Sequence, residues 1–272
     1  MVLYCLLHWK RCVLTSFNGR QRLGKRLFNS VKQGNEQVAC SSKVQCSNAL
    51  HHEKSYQADQ DSLVLHGNWS EETRTTMLQD MLVFNNFITE SEEECIMGEI
   101  GPYLKRMRYE FDHWDDAIHG FRETERLQWN PENARVLDRV RRLAFPVGTA
   151  QLRHVHVLDL AGDGVIKPHV DSRRFCGSVI AGLSLLSDAV MRLVSCAEPE
   201  RRLDALLGRR SLYVMRNSAR YDYTHEILSA SLSTFAERRV PRGRRVSVIC
   251  RNEPTAADDD GDGPASGGPA AS

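Results

Sequence analysis

The stretch SVIAGLSLLSDAVMRLVS, residues 178–195, contains two short apolar runs separated by a polar Ser-Asp turn. Runs of this length, rich in Val, Ile and Leu and bounded by turn residues, are typical of β-strands. Similar segments lie on both sides of it: HVHVL at 154–158, VIKPHVD at 165–171, SLYVMR at 211–216 and RVSVICR at 245–251. Turn-forming residues separate them, as in AGDG at 161–164. Many short strands joined by short turns favour a sandwich or barrel over a parallel α/β sheet, so we predict a jelly-roll core.

Two helices are predicted before this run of strands. Ser91 and Glu94 form a capping-box pattern at the start of the first helix, and apolar residues follow at helical spacing. The second helix is expected to begin at Asn130-Pro131, because asparagine caps helices well and proline is tolerated in a first turn. Each helix has one apolar stripe, which must pack against another surface. The predicted fold class is therefore α+β, mainly β, with the N-terminal helices packed on one side of the jelly roll.

Composition divides the 272-residue chain into four segments. Residues 1–35 contain basic residues but no Asp or Glu, a composition typical of a mitochondrial presequence; a basic tail without a targeting role is the alternative. Residues 36–74 are polar and show no sustained period, so we expect a disordered linker. The folded domain is expected over residues 75–253, and the acidic, Gly-, Pro- and Ala-rich residues 254–272 are expected to be disordered.

Charge, hydropathy and cysteine usage exclude several classes of protein. The 36 basic and 35 acidic residues give a net charge of +1, so the chain as a whole has no electrostatic preference for nucleic acid. No window of 18 or more apolar residues occurs, so we expect no transmembrane segment. The eight cysteines form no C-x-x-C pair, which indicates a reducing compartment rather than a disulfide framework or a zinc knuckle.

His169 and Asp171 lie two residues apart in a predicted strand, so both side chains project from the same face. A lone H-x-D pair is common and often means only an exposed polar face. His225, just after the SLYVMR segment, is a third candidate metal ligand. Two imidazoles and one carboxylate leave one side of a metal open, which suits Fe(II) oxygen chemistry. Zinc hydrolases use the same donors, so the three residues alone do not identify the metal.

Arg245 and Arg251 also share one face of a predicted strand, together with Ser247 and Ile249. A guanidinium on the inward face of a strand is costly unless it is paired, because it does not lose its charge. The two backbone positions are roughly 20 Å apart, so side chains leaning inward could hold the two ends of a short dicarboxylate. We therefore predict a small diacid between the metal and an arginine.

These motifs, in this order, resemble those of the AlkB-like family of Fe(II)- and 2-oxoglutarate-dependent dioxygenases. The resemblance covers residues 75–253 and extends to YEFDHWDDAIHGFRETE at 109–125 and SARYDYTHEIL at 218–228, which resemble mitochondrial members of animals. It implies a double-stranded β-helix core in which His169, Asp171 and His225 bind Fe(II). It further implies that Arg245 and Arg251 hold 2-oxoglutarate and that Tyr213 hydrogen-bonds it. Without the resemblance, a core aromatic residue is an equally good interpretation of Tyr213.

The same resemblance implies a function. Members of the AlkB-like family use O2 and 2-oxoglutarate to oxidise a C–H bond, either hydroxylating a protein or removing an N-methyl group from RNA. The mitochondrial members imply a monomeric enzyme of the matrix with roles in alkylation-induced programmed necrosis and in fatty-acid metabolism. DNA repair is disfavoured, because repair members carry an N-x-Y element where this chain has HVHVLDLAGDG. The alternative is a catalytically weak metal-binding jelly roll that acts by protein–protein contact.

Three other polar clusters are given structural interpretations. Asp112, His113, Asp115 and His119 match no common ligand spacing, so an exposed polar loop is favoured over a second metal site. His154 and His156 share a predicted strand face, and a core or surface position is favoured over a ligand role. In the basic run ERRVPRGRRV at 237–246, Arg238, Arg239, Arg242 and Arg244 are expected to form a solvated loop leading into the strand rather than a phosphate-binding site, because few aromatic residues are interleaved for base stacking.

Overall fold

The computed structural model describes residues 55–111, 113 and 116–256. Residues 1–35, the part of the predicted linker up to residue 54, and residues 257–272 of the predicted tail lie outside the described residues. The helices are α1 (Glu71–Asp80), α2 (Glu90–Leu104), α3 (Pro131–Ala144) and α4 (Asn217–Tyr221). The strands are β1 (Leu63–His66), β2 (Met81–Phe84), β3 (Ile118–Arg126), β4 (Val155–His169), β5 (Val179–Leu185), β6 (Ala189–Ser195), β7 (Arg202–Leu207), β8 (Ser211–Arg216), β9 (Tyr223–Ile227), β10 (Thr234–Phe235), β11 (Arg238–Arg239) and β12 (Arg245–Arg251).

Strands β1–β9 and β12 form one continuous sheet that folds over at β4 into two facing halves, called the two sheets below, and β10 pairs separately with β11. Hydrogen bonding gives the order β1-β7-β6-β9-β4-β12-β5-β8-β2, all antiparallel, with β3 pairing along β4. The first part of β4 pairs with β12, whereas Ile166 and His169 near its end pair with β9. Apolar residues from both groups of strands meet in one core, among them Ile180, Ile249, Met191, Leu193 and Ile227. The predicted jelly-roll fold is therefore confirmed.

The alternation of side chains explains why the helices lie on one sheet. Val246, Val248 and Cys250 of β12 face a second apolar cluster that also contains Val140 of α3 and Ile100 of α2. The residues between them in β12 face the other way, toward the space between the sheets. Because side chains alternate along a strand, β12 packs its apolar residues against the helices and turns its polar residues toward the space between the sheets. The helices pack on one side of the jelly roll, as predicted.

Strand β4 differs from the expectation, because HVHVL and VIKPHVD form one continuous strand without a turn at 161–164. Two glycines allow the strand to bend here. Gly120 in the neighbouring strand has a φ of +67°, and the register of β3 against β4 shifts beside it. A Cβ on Gly164 would lie 2.6 Å from the carbonyl oxygen of Gly120. The AGDG segment is therefore the bend at which β4 passes between sheets, as glycine-rich irregularities often are.

Ordered structure begins earlier than predicted, within the segment expected to be a linker. Strand β1 pairs with β7, with Leu63 opposite Ala205, and Leu63 and Leu65 pack against the core between the sheets. Helix α1 also begins before residue 75, and its N-cap Ser70 accepts a hydrogen bond from the backbone N–H of Thr73. A four-residue strand carries too short a pattern to be recognised in a polar context.

Among the described helices, none has the length and apolarity needed to cross a membrane.

The cap of α2 is also displaced from its predicted position. Thr89, not Ser91, is the N-cap residue, and it forms a reciprocal capping box with Glu92. Because the sequence TESEEE contains overlapping matches to the S/T-x-x-E pattern, the pattern alone did not choose between them. The predicted start of α3 is confirmed, since Oδ1 of Asn130 accepts from the N–H of Asn133 and Pro131 is the first helical residue.

Candidate active site

His169, Asp171 and His225 lie together where β4 and β9 meet. His169 is the last residue of β4 and pairs with His225 of β9, so the two rings lie side by side with centroids 4.3 Å apart. Asp171 follows two residues after the strand, and its Oδ1 lies 3.3 Å from Nε2 of His169 and 3.9 Å from Nε2 of His225. One ligand atom from each residue falls within 4.8 Å of the others. No other group of three His, Cys, Asp or Glu side chains among the described residues converges in this way.

The surroundings of Asp171 and His225 favour the forms that bind a cation. Nδ1 of His169 donates to the carbonyl oxygen of Lys167 at 2.8 Å, which turns Nε2 toward Asp171. Burial, reinforced by the neighbouring His169, lowers the pKa of His225 to about 3, so its imidazole is neutral. Burial alone would raise the pKa of Asp171, but the hydrogen bond with His169 and nearby positive charges hold it well below its usual value. A neutral imidazole, as at His225, and an ionised carboxylate, as at Asp171, are the species that ligate divalent metals.

Arg245 is buried on the inner face of β12 and is only partly satisfied. Its Nε donates to Oγ of Ser184 at 2.9 Å, whereas its Nη2 is buried without a hydrogen-bond partner in the described part of the chain. Burial lowers the pKa of the guanidinium to about 10, a value at which it still carries its charge near neutral pH. A buried cation with an unused N–H group is the environment expected for an anionic ligand. These features fit a carboxylate at this position.

Tyr213 lies on β8, which is separated from β12 by β5, and its ring lies against the backbone of β5. A Cβ on Gly182, the residue opposite Tyr213, would lie 2.5 Å from two ring carbons. Glycine at 182 therefore lets the ring lie flat across the sheet beside Arg245. Tyr213 is buried, and this burial raises the pKa of its phenol, so the hydroxyl stays protonated and can donate.

Arg251 is held from the side by a residue that the sequence did not suggest. Its Nη2 lies 2.8 Å from Nδ1 of His156, and its Nε is buried without a partner among the described residues. Burial is the largest single effect and would lower the pKa of Arg251, but Asp171, Cys176, Tyr213 and Glu125 together outweigh it and the pKa is raised. His156 is not one of the three convergent ligands, yet it faces the site rather than the core or the outer surface. The alternation with Val155 and Val157, which face the helices, was the available signal.

All six predicted site residues line one cavity of about 70 Å³ between the two sheets. His169, Asp171 and His225 line the cavity where β4 and β9 meet. Tyr213, Arg245 and Arg251 line it from β8 and β12, in the sheet that carries the helices. Apolar side chains fill the remaining wall: Ile118, Leu158, Ile166, Ile180, Met191, Met215, Ile227 and Ile249. The cavity therefore combines a cation-binding group, three donors suited to an acid and an apolar lining, as small-molecule sites commonly do.

The DHWDDAIHG segment does not form a comparable group within the described residues. His119 lies in β3 and pairs with Asp116 at 2.9 Å, and His113 lies 3.9 Å from Glu123. Asp112 and Asp115 fall outside the described residues. The expected polar loop is wrong for its second half, because residues from Ile118 onward form β3 and pair with β4.

Two of the known proteins similar to this chain carry the same description. The alkB homolog 7, mitochondrial, of Bos taurus is 57% identical over 178 residues, which cover 65% of this chain and 80% of the relative. The Mus musculus protein of the same name is 55% identical over 175 residues, covering 64% and 79%. An uncharacterized protein of Acanthamoeba polyphaga mimivirus is 32% identical over 91 residues, 34% of this chain and 43% of its own length. No protein-family model matches the chain.

Two solved structures are more distant. One, described as OsALKBH1, is 12% identical, with a TM-score of 0.48 over 63% of this chain and 97% of its own. The other is a prolyl hydroxylase from Trichoplax adhaerens in complex with a hypoxia inducible factor peptide, 10% identical, with a TM-score of 0.49 over 70% and 90%. Family membership rests on the two mammalian relatives, whose names describe alpha-ketoglutarate-dependent dioxygenases, alpha-ketoglutarate being 2-oxoglutarate. The chain belongs to the alkB homolog 7 family of alpha-ketoglutarate-dependent dioxygenases.

Proposed function

We propose that this protein is a mitochondrial dioxygenase in which His169, Asp171 and His225 bind Fe(II). The observation that carries the proposal is the convergence of the three ligand atoms within 4.8 Å of one another. Two imidazoles and one carboxylate on one side of a metal leave the other positions open for a co-substrate and O2. When bound, the iron would supply the activation of O2 that couples conversion of 2-oxoglutarate to succinate and CO2 with oxidation of a substrate C–H bond.

The co-substrate in this proposal is 2-oxoglutarate, and the protein binds and orients it. Arg245 offers the distal carboxylate its Nη2, which has no partner among the residues that the structure describes, and its bond to Ser184 fixes the plane of the guanidinium. In this proposal Tyr213 donates its hydroxyl to the same carboxylate, and Arg251, whose charge interacts with that of Asp171, also donates to the co-substrate. The apolar side chains around the cavity exclude bulk water, which strengthens these ionic contacts.

The substrate in this proposal is a macromolecule, either a protein that is hydroxylated or an RNA that loses an N-methyl group. DNA repair fits poorly, because residues 145–154, between α3 and β4, offer little chain for loops that cap a flipped base. The naming of the mammalian relatives as mitochondrial supports a mitochondrial location. We place the enzyme in the matrix as a monomer, with roles in programmed necrosis after alkylation and in fatty-acid metabolism.

The direct test of turnover is the conversion of 2-oxoglutarate to succinate by the purified full chain with Fe(II) under oxygen. We expect succinate above background from the wild type and none from His169→Ala. His154→Ala is the matched control, because His154 is an exposed histidine on the same stretch of chain, and it should retain the activity. Equal background from wild type and His169→Ala would favour the non-catalytic alternative, a jelly roll that acts by protein–protein contact.

A second experiment distinguishes the two substrate classes. Mitochondrial protein and RNA from cells with the wild-type chain and with His169→Ala would be compared by mass spectrometry. A protein site that gains one oxygen atom only with the wild type supports hydroxylation. A loss of RNA N-methylation only with the wild type supports demethylation. If both pools are unchanged, the proposal of a macromolecular substrate is wrong.

A further inference from the structure

A chain of three polar side chains crosses three adjacent strands beside the cavity. Glu123 in β3, His156 in β4 and Arg251 in β12 are joined by hydrogen bonds through the imidazole ring. Oε2 of Glu123 lies 2.9 Å from Nε2 of His156, and Nη2 of Arg251 lies 2.8 Å from Nδ1. The imidazole ring of His156 therefore connects the carboxylate of Glu123 to the guanidinium of Arg251, with one ring nitrogen bonded to each.

The chemistry of the end groups fixes the protonation of the ring. A guanidinium can only donate, so Nδ1 of His156 must be the acceptor and carries no proton. Nε2 then carries the proton and donates it to Glu123, which as a carboxylate can only accept. Hydrogen bonding with His156 helps to lower the pKa of Glu123 against the opposing effect of burial. His156 thus presents one acceptor to Arg251 in a fixed direction.

Arg251 needs such support because little else holds its head group. It is the last residue of its strand, and its Nε has no partner in the described part of the chain. Three rotatable bonds beyond Cβ would otherwise let the guanidinium move. Movement away from the correct orientation weakens a bidentate contact between the guanidinium and a carboxylate. We infer that His156, held by Glu123, is a positioning residue that orients Arg251 for the binding of 2-oxoglutarate. This inference rests on the proposed function, because it assumes that Arg251 contacts the co-substrate.

Replacing His156 with asparagine or glutamine tests its bond to Arg251 and its bond to Glu123 independently. His156→Asn places an amide oxygen near Nδ1, so it can still accept from Arg251 but does not reach Glu123. His156→Gln places its terminal amide near Nε2, so it can still donate to Glu123 but offers Arg251 no acceptor. If His156 acts through Arg251, asparagine should preserve function and glutamine should not. A purely structural role would be served equally well or badly by either amide.

The experiment is calorimetric titration of 2-oxoglutarate into the full chain loaded with Mn(II), which binds like Fe(II) without being oxidised. In His156→Gln the guanidinium of Arg251 loses its orientation and with it a charge-assisted hydrogen bond to the carboxylate of 2-oxoglutarate, which should weaken binding by about tenfold or more. We expect His156→Asn and the exposed control His154→Ala to stay within about threefold of wild type. Mn(II) affinity should be the same in all four proteins, because His169, Asp171 and His225 are unchanged.

Several outcomes would overturn the inference. Equal 2-oxoglutarate affinity in wild type and His156→Gln would do so, as would an asparagine variant as weak as the glutamine variant. If His156→Gln does not fold, Glu123→Leu carries the test, since it frees the far side of the ring without touching Arg251, and unchanged binding there would also overturn the inference. A wild-type chain that binds Mn(II) but no 2-oxoglutarate would instead refute the proposed co-substrate site, and the inference with it.

Discussion

Arg245 is the residue whose environment is hardest to explain without a ligand. It is 2% exposed, its Nη2 has no partner among the described residues, and burial lowers the pKa of its guanidinium to about 10. Only Ser184 receives a hydrogen bond from it among the contacts described above. A buried charge without a counter-charge destabilises the folded state, and apolar replacements of such groups are often neutral or stabilising. Its retention is explained if an anionic ligand supplies the missing partner.

We therefore predict opposite effects on binding and stability for Arg245→Met. The affinity for 2-oxoglutarate should fall by at least about tenfold, because the carboxylate loses a charge-assisted hydrogen bond. The thermal midpoint without ligand should be unchanged or higher, because a costly buried charge is removed. Calorimetry with the Mn(II)-loaded chain and a thermal melt measure the two quantities.

The neighbouring Arg244 provides the matched control. It lies in the loop before β12 with its side chain 38% exposed, and it makes two hydrogen bonds of 2.8 Å to the fully buried Asp159. Arg244→Met should lower the thermal midpoint and leave 2-oxoglutarate binding near wild type, since it removes one partner of a buried carboxylate. If the two variants behaved alike, with binding preserved in both, Arg245 would be a structural residue.

At the scale of single residues, the site residues that could be predicted from the sequence were those whose positions follow from the alternation of side chains along one strand. The alternation of side chains along β12 placed Arg245, Ser247, Ile249 and Arg251 on one face, and all four line the cavity. His156 was missed because its two partners come from different strands, 33 and 95 positions away along the chain. Spacing within one segment carries no information about such contacts.

At the scale of secondary-structure elements, the start of α2 gives a clear stability prediction. Thr89→Ala should lower the free energy of unfolding by about 1 kcal/mol, because the N–H of Glu92 loses its acceptor at the helix N-terminus. Ser91→Ala, at the position that the sequence favoured, should change it by no more than about 0.5 kcal/mol. Urea unfolding of both variants measures the difference. A larger loss for Ser91→Ala would mean that the helix begins at the later position.

Strand β4 shows why element boundaries were harder to predict than element types. Both of its halves were recognised as β segments, but AGDG read as a turn because glycine and aspartate dominate turns. The glycines instead serve a close approach of two strands, with Gly164 against Gly120. That contact depends on the packing of β3 along β4, which the local sequence does not encode. The consequence for function is large, because the continuous strand brings His156 and His169 to one cavity.

At the scale of the whole molecule, the extra N-terminal structure predicts where the domain can be cut. A chain that begins at residue 75 loses β1 and the start of α1, including Leu63 and Leu65, which pack on the core. It also exposes β7 as an unpaired edge, which favours aggregation. We expect its thermal midpoint to lie at least about 5 °C below that of a chain beginning at residue 55. Equal midpoints, measured by calorimetry, would show that β1 is dispensable.

The central claim concerns the whole molecule, because the two facing sheets must bring residues from β4, β9 and β12 to one cavity. The most direct measurement is a crystal structure of the chain grown with Mn(II) and 2-oxoglutarate without oxygen, with anomalous scattering locating the metal. We predict one strong peak within about 2.3 Å of Nε2 of His169, Nε2 of His225 and a carboxylate oxygen of Asp171, with diacid density extending from it to Arg245. A metal bound elsewhere, or a diacid that does not reach Arg245, would contradict the proposed site.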